Sequence, residues 1–413
     1  MTTLVRPGLW RHRDFRLLWA GETASLLGSA VASTALPLVA VVTLRASTFM
    51  VGLLAAVAWL PWLLVGLPAG AWVDRLAKRP VMLTCNTVSA LVFGSVPVMA
   101  VSGALTMSYL LVAALLGGIT KVFFTLAYRA YLPALVEDAH LQEANAKLLG
   151  SDCAADIAGP GVAGVLAKVF GPVSGILVDA VSFGVSVLCL SFVRTKENKP
   201  FVEKRRLRAE IGEGIRFVAR DPYLRPLMIF GATSNLALDG YQAIQIVFFA
   251  RDLGAGPGQI GLVLAVDGAG GVCGALVTRR LAARFGTARA FLIGEGVAAP
   301  MMLLGPFASG GAGLVFLAAA GFGLGSGLAV SNVLLGTFRQ RYYPPELFGR
   351  ITATYAAVNY GTIPLGAFLG GLLGEVLGVR PTMWLMGGVQ LVAFGLLMRG
   401  PFRARRDFPA RVP

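Results

Sequence analysis

Gly70-Ala-Trp-Val-Asp74-Arg75-Leu-Ala-Lys78-Arg79 closes a long apolar run, and at a shift of 204 Gly274-Ala-Leu-Val-Thr278-Arg279-Arg280-Leu-Ala-Ala-Arg284 closes another. At the same shift Pro160 meets Pro364, each among glycines. Two landmarks on one offset predict a duplicated unit, and the apolar runs around them say what is duplicated. Twelve runs are long enough to cross a bilayer: 17–42, 50–73, 81–102, 107–127, 145–167, 172–193, 226–250, 259–278, 290–309, 312–336, 351–374 and 381–399. The predicted fold class is all-α integral membrane, with twelve transmembrane helices as two pseudo-symmetric six-helix bundles.

Composition agrees with that reading. The 413 residues are 56% hydrophobic and only 14% charged, with a mean hydropathy of +0.72. Soluble domains carry about a quarter of their residues as charges. The net charge of +15 would suggest nucleic acid in a soluble chain, but position decides otherwise. Of 36 basic residues, 30 fall on the side that holds both termini and only Arg45, Lys168, Arg251 and Arg380 on the other. This positive-inside asymmetry predicts cytoplasmic termini in a multi-pass cell-membrane protein, with lipid as a neighbour and no nucleic-acid partner.

The long connection Arg194–Arg225 divides the chain into a first bundle over 1–193, a cytoplasmic linker over 194–225 and a second bundle with a basic tail over 226–413. Within the linker, Leu207, Ile211, Ile215 and Val218 recur at helical spacing, so an amphipathic surface helix is expected. Cys85, Cys153, Cys189 and Cys273 all lie in spans and suggest neither disulfides nor a zinc cluster. His12 and His140 lie outside the spans, no metal-ligand cluster or cofactor motif is present, and no Gly-Lys dipeptide offers a phosphate loop. An enzyme or an ATP-driven pump is therefore not expected.

Charges inside spans are costly and mark function or pairing. They are Glu22, Lys121, Asp152, Asp156, Asp179, Asp239, Asp267 and Glu295. Asp152 and Asp156 share a helix face, and at 1.5 Å per residue Asp152 and Lys121 both sit roughly 10 Å from the cytoplasmic side. An intramembrane ion pair Lys121–Asp152 is expected, with Asp156 nearer the midplane. Proton and substrate charge alter each other's binding at a buried carboxylate, which is what exchange transport requires. Asp156, Asp239, Asp267 and Glu22 are the candidates for proton coupling and the substrate cavity.

Two six-helix halves, with a Gly-x-x-x-Asp-Arg-x-x-Lys-Arg turn after span two and a weaker copy after span eight, resemble the major facilitator superfamily over nearly the whole chain. Leu141-Gln-Glu-Ala-Asn145, Gly159-Pro160-x-x-x-Gly164 and Glu213-Gly-Ile-Arg-Phe-Val-Ala-Arg-Asp-Pro222 are similar to the branch holding macrolide and enterobactin-type siderophore exporters. The resemblance implies a cytoplasmic gate: Gly70 for close helix approach, Asp74 in a state-dependent contact with the start of span eleven, where Arg350 is a direct partner, and Arg75 and Arg79 as basic partners. It also implies that Gly159, Pro160 and Gly164 form an antiporter-like motif that seals the outer side. Ala77 stands where the family usually has Gly. The span-four arginine motif has no clear match, although Lys121 and Arg129 lie nearby.

The expected function is a secondary active transporter, monomeric, exporting a small organic compound (drug, macrolide-like or siderophore-like) by alternating access in exchange for protons. A proton-coupled uptake symporter and a non-transporting membrane receptor or accessory protein of the same fold are the alternatives.

Overall fold

The computed structural model describes residues 9–195, 207–344 and 347–409. The helices run α1 (Arg13–Leu38), α2 (Thr48–Arg75), α3 (Lys78–Val101), α4 (Met107–Leu135), α5 (Asp138–Phe170), α6 (Val173–Ser191), α7 (Leu207–Arg220), α8 (Leu224–Val247), α9 (Pro257–Phe285), α10 (Thr287–Leu304), α11 (Leu314–Tyr342), α12 (Phe348–Val376) and α13 (Val379–Met398). Among the described residues eleven helices are long and apolar enough to cross a membrane. The twelfth place is taken by α8, whose apolar course is interrupted by Asn235, Asp239, Gln242 and Gln245.

Local chemistry sets where these helices begin. Ser47 Oγ accepts from Met50 N (3.3 Å) at the head of α2, and Thr106 Oγ1 from Tyr109 N (3.2 Å) at the head of α4. Several helices continue past the apolar runs that betray them: α4 reaches Leu135 and α5 starts at Asp138. Lys121 and Asp152 are thus each fourteen residues from the helix end nearest the termini, roughly 21 Å, which places them mid-membrane and corrects the shallower depth read from the apolar runs.

The two halves are built alike. In the first, α1 packs on α5 and α6, α2 on α4, and α3 on α4 and α6. In the second, α8 packs on α12 and α13, α9 on α11, and α10 on α11 and α13. Both α1 and α8 end in a π-helical turn, Val39–Thr43 and Phe248–Asp252. Those turns start 209 residues apart, as do α2 and α9 and also α3 and α10. The structural register of the repeat is therefore 209 in this region, and the offset of 204 suggested by the two basic turns is corrected. Short identical strings at a helix end matched five residues out of step because apolar sequence imposes little register of its own.

Between halves, α2 lies on α12 and α5 lies on α9. At the end of the molecule away from the termini, one buried apolar cluster runs through both halves, including Leu38, Val51, Leu110, Ile244, Phe248 and Leu317. At the end that carries the termini, the basic end, there are two separate clusters. One holds Phe15, Met82, Tyr131 and Leu190 of the first half; the other holds Val218, Phe230, Phe291 and Phe338 of the second. Among the described residues the buried core is continuous across the halves at one end and divided at the other. The linker helix α7 seats Val218 in the second of these clusters and leaves Ile215 exposed, so its apolar face is divided between bundle and surroundings. Leu207 and Ile211 have side chains outside the described set.

Candidate functional site

Glycine makes the join. A Cβ on Gly371 (α12) would stand 2.8 Å from Gly52 Cα (α2), and one on Gly164 (α5) would stand 2.9 Å from Gly261 Cα (α9) and 2.8 Å from the Pro257 carbonyl. No side chain larger than hydrogen fits, so the backbones touch directly. Gly52 and Gly261 are 209 residues apart, the same register again, so the two seals are counterparts. Gly159 instead packs inside the first half, where a Cβ would meet Ala30 Cβ at 2.5 Å. α5 stays helical through Pro160. Proline has no N–H, so the Asp156 carbonyl one turn earlier loses its partner; that carbonyl faces α9, 3.1 Å from where a Gly268 Cβ would lie.

Moving from the seal toward the middle of the bundle, the charged candidates separate. Asp156 and Asp152 are exposed on α5, and the charge of Lys121 reaches Asp156. The ion pair expected between Lys121 and Asp152 is not formed: among the described residues the one pair within 4.0 Å is Glu143–Lys147 (3.4 Å). The Lys121 ammonium lies instead 5.6 Å from the ring centroid of Trp59 on α2. The greater depth of both residues explains the change, because at mid-membrane α2 brings an indole face to α4: Gly118, one turn before Lys121, has Pro61 at 3.0 Å from a built Cβ.

Glu22 is buried within the first half, lining a small pocket with Leu17, Gly21, Met82, Phe124 and Ser186, and it stands near enough to Asp152 and Tyr128 for their charges to interact. Asp179 is also buried there and accepts from Ser29 Oγ at 3.2 Å. In the second half Asp239 is half-buried on α8. Asp267 packs its Cβ 3.1 Å from the place of a Cβ on Gly321, against α11. Glu295 is buried, with Oε2 lacking a hydrogen-bond partner. Asp156, Asp152 and Lys121 therefore belong to one mid-membrane group in the first half, whose charges also reach Glu22 and Asp179, whereas Asp239 and Asp267 stand apart in the second half.

The basic end differs from expectation in detail. A Cβ on Gly70 would meet nothing within 4 Å, so the close approach read for it is absent here, at the end where the buried core is divided between the halves. Arg79 donates from Nε to the Leu190 carbonyl (3.1 Å) and from Nη2 to that of Ser191 (2.6 Å), capping the last turn of α6. Lys78 caps α2 through the Val73 and Leu76 carbonyls (2.7 and 2.8 Å). Arg75 is exposed, and Arg350 is the third residue of α12. The Asp74 side chain lies outside the described residues.

Sequence reading passed over three aromatic residues. Trp59 and Trp62 on α2 meet Tyr360 on α12, with centroids 6.4 and 5.3 Å apart, Trp59 nearly parallel to it at 28°. The i, i+3 spacing of the tryptophans was the available signal, but a ring facing lipid and a ring facing an interior cleft look the same in an apolar run.

The comparisons with known proteins match this architecture. Residues 8–406 match the MFS_3 family, described as transmembrane secretion effector. The multidrug efflux pump Tap of Mycolicibacterium fortuitum is 29% identical over 89% of this chain and 90% of its own. Among solved structures, the nucleoside transporter NupG superposes with a TM-score of 0.76 at 13% identity, covering 95% of this chain and 99% of its own. A bacterial homologue of the iron transporter ferroportin in its inward-facing state gives 0.75 at 17%, covering 97% and 100%. A family match across nearly the full length, on a duplicated twelve-helix body, places the protein among transporters and not enzymes: the chain belongs to the major facilitator superfamily, in the transmembrane secretion effector family.

Proposed function

We propose that this transporter exports a small organic compound in exchange for protons, with its basic end in the cytoplasm. Three things support that reading: the excess of basic residues at the end with the termini, the relatives named as multidrug efflux pumps, and the position of Asp156. The last carries the most weight. Asp156 sits at the α5/α9 seam between the halves, with its carbonyl against Gly268 and its carboxylate under the charges of Lys121 and Asp152. Rocking the halves about that seam changes what the exposed carboxylate faces, and a group whose surroundings change with access state can load a proton on one side and release it on the other. In this arrangement the structure is the inward-open state, Asp239 and Asp267 are further coupling candidates in the second half, and Asp74 and Arg350 belong to the cytoplasmic gate.

The experiment is substrate-driven proton release in oriented vesicles across a panel of drugs and siderophores. Opposed fluxes are expected. Asp156→Asn is expected to lower coupled proton release about tenfold while membrane insertion is normal, in the range of ordinary coupling energies. Parallel fluxes would turn the reading into symport, and binding without flux into a receptor. Wild-type coupling in Asp156→Asn would remove that residue.

A further inference from the structure

The mid-membrane ring group already holds a cation over one of its faces. Trp59 and Trp62 come from one half and Tyr360 from the other, so the rings meet across the boundary that transport must open and close. Their positions, near the middle of α2 and α12, are at the depth where a bound compound would be exchanged between sides. Tyr360 is 37% exposed, leaving ring surface uncovered. Lys121 reaches into this group and rests its ammonium on Trp59, although carboxylates stand nearby on α5 and no ion pair holds it. An ammonium over an indole is how a protein recognises an organic cation.

We infer that Trp59, Trp62 and Tyr360 form the seat for a flat aromatic cation, and that Lys121 is an internal competitor which the ligand must displace. The charge balance favours this occupant. With Lys121 moved off Trp59 but kept within the mid-membrane group, that lysine with Asp152 and Asp156 leaves one net negative charge there, which suits a cation and repels an anion. Of the two carboxylates that its charge already reaches, Asp179 is buried and Asp156 exposed, so the displaced Lys121 ammonium swings toward Asp156. Ligand arrival is thereby communicated to that carboxylate without contact between the two. Counterpart positions in the repeat show that the seat is particular to one seam: 209 residues after Trp59 stands Gly268, which has no ring to offer.

This inference rests on the transport reading for its purpose, but its test is binding at equilibrium, which needs no flux. Ethidium is the flat aromatic cation and choline the non-aromatic one, both added to the purified full chain in lipid nanodiscs and followed by fluorescence anisotropy and competition. Trp59→Leu and Tyr360→Leu are expected to weaken ethidium about tenfold. Lys121→Gln is expected to tighten it severalfold, and Lys121→Arg to return it toward wild type, a pattern that a merely structural lysine would not give. Thermal melting of each variant separates loss of the seat from loss of the fold; should Trp59→Leu not fold, Trp59→Phe is expected to retain most of the affinity. Wild-type protein that fails to bind ethidium, equal competition by choline, or weaker binding in folded Lys121→Gln would overturn the inference. Binding with the expected pattern but no proton movement in vesicles would leave the seat standing and sink the export reading instead.

Discussion

The two seams that join the halves start alike and then diverge. Each has a glycine pair at the end away from the termini, Gly52 with Gly371 and Gly261 with Gly164. Deeper in, the α5/α9 seam stays backbone on backbone: Gly161 faces Ala265, and Gly268 lies against Ile157 Cα and the Asp156 carbonyl at about 3 Å from a built Cβ. The α2/α12 seam instead opens around Trp59, Trp62 and Tyr360. A seam of glycines has no slack, since neither backbone can yield without moving a whole helix, whereas rings rotate about χ1 and χ2. One side therefore acts as a tight pivot and the other as a padded opening. Asp156, proposed to couple protons, lies on the pivot, while the proposed aromatic seat lies on the padded side.

The largest effect that separates them is a branched residue at each seal. Gly164→Val places a Cβ against the Pro257 carbonyl and Gly261, with Gly268 also close-packed about two turns away, so transport is expected to be lost. Gly371→Val meets Gly52 Cα at 2.8 Å and the Phe49 carbonyl at 3.1 Å, but the rings below it can shift, so a reduced rate is expected to remain. Overpacking of this kind costs about 1–3 kcal/mol and is enough to shift a two-state equilibrium by tenfold or more. Transport rates in vesicles, normalised to inserted protein, check the ranking. Equal losses at the two positions would mean that the seams are equivalent and that the pivot has been misplaced.

Architecture was far more legible in the sequence than the site. Apolar length and the distribution of Arg and Lys locate the helices because bilayer thickness imposes both. Twelve helices in two bundles follow from that alone. What membrane sequence hides is which way a residue faces. Asp152 and Lys121 look like an obvious pair by depth, yet the partner that Lys121 takes is Trp59, on a helix whose proximity no spacing rule reveals. Glu22 reads as a cavity acid, and the pocket it lines is a small one inside its own bundle, which no spacing rule reveals. Arg79 reads as part of a gate, and its capping of the last carbonyls of α6 is a second role that the motif does not announce. The glycine seals were invisible for the opposite reason: with 52 glycines in the chain, a pair that touches is indistinguishable from those that do not.

Polar ties supply a finer test of the same comparison. Among the described residues the start of α2, at the end of the padded seam, is held by two ties, one from α12 and one from the turn that follows α8. Glu375 Oε2, near the end of α12, accepts from Phe49 N at 3.1 Å in the first turn of α2, and Arg251 donates from Nη2 to the Ala46 carbonyl just before it. Both fasten the start of α2, where a carboxylate is favoured by the helix dipole and by an N–H with no intrahelical partner. A seam that is loose in its middle needs holding at its end, and these contacts do that where glycine contact alone runs out. Because Glu375 is exposed, its contribution is small, about 0.3–1 kcal/mol. Glu375→Gln is therefore expected to raise the open population at this end only about two- to fivefold. Spin labels placed across the Gly52–Gly371 level would read that as a minor longer-distance population, absent when the same labels bracket Gly164 and Gly261. Broadening at both levels would show that the halves move as a single hinge with no difference between seams, and the contrast between pivot and padded opening would have to be abandoned.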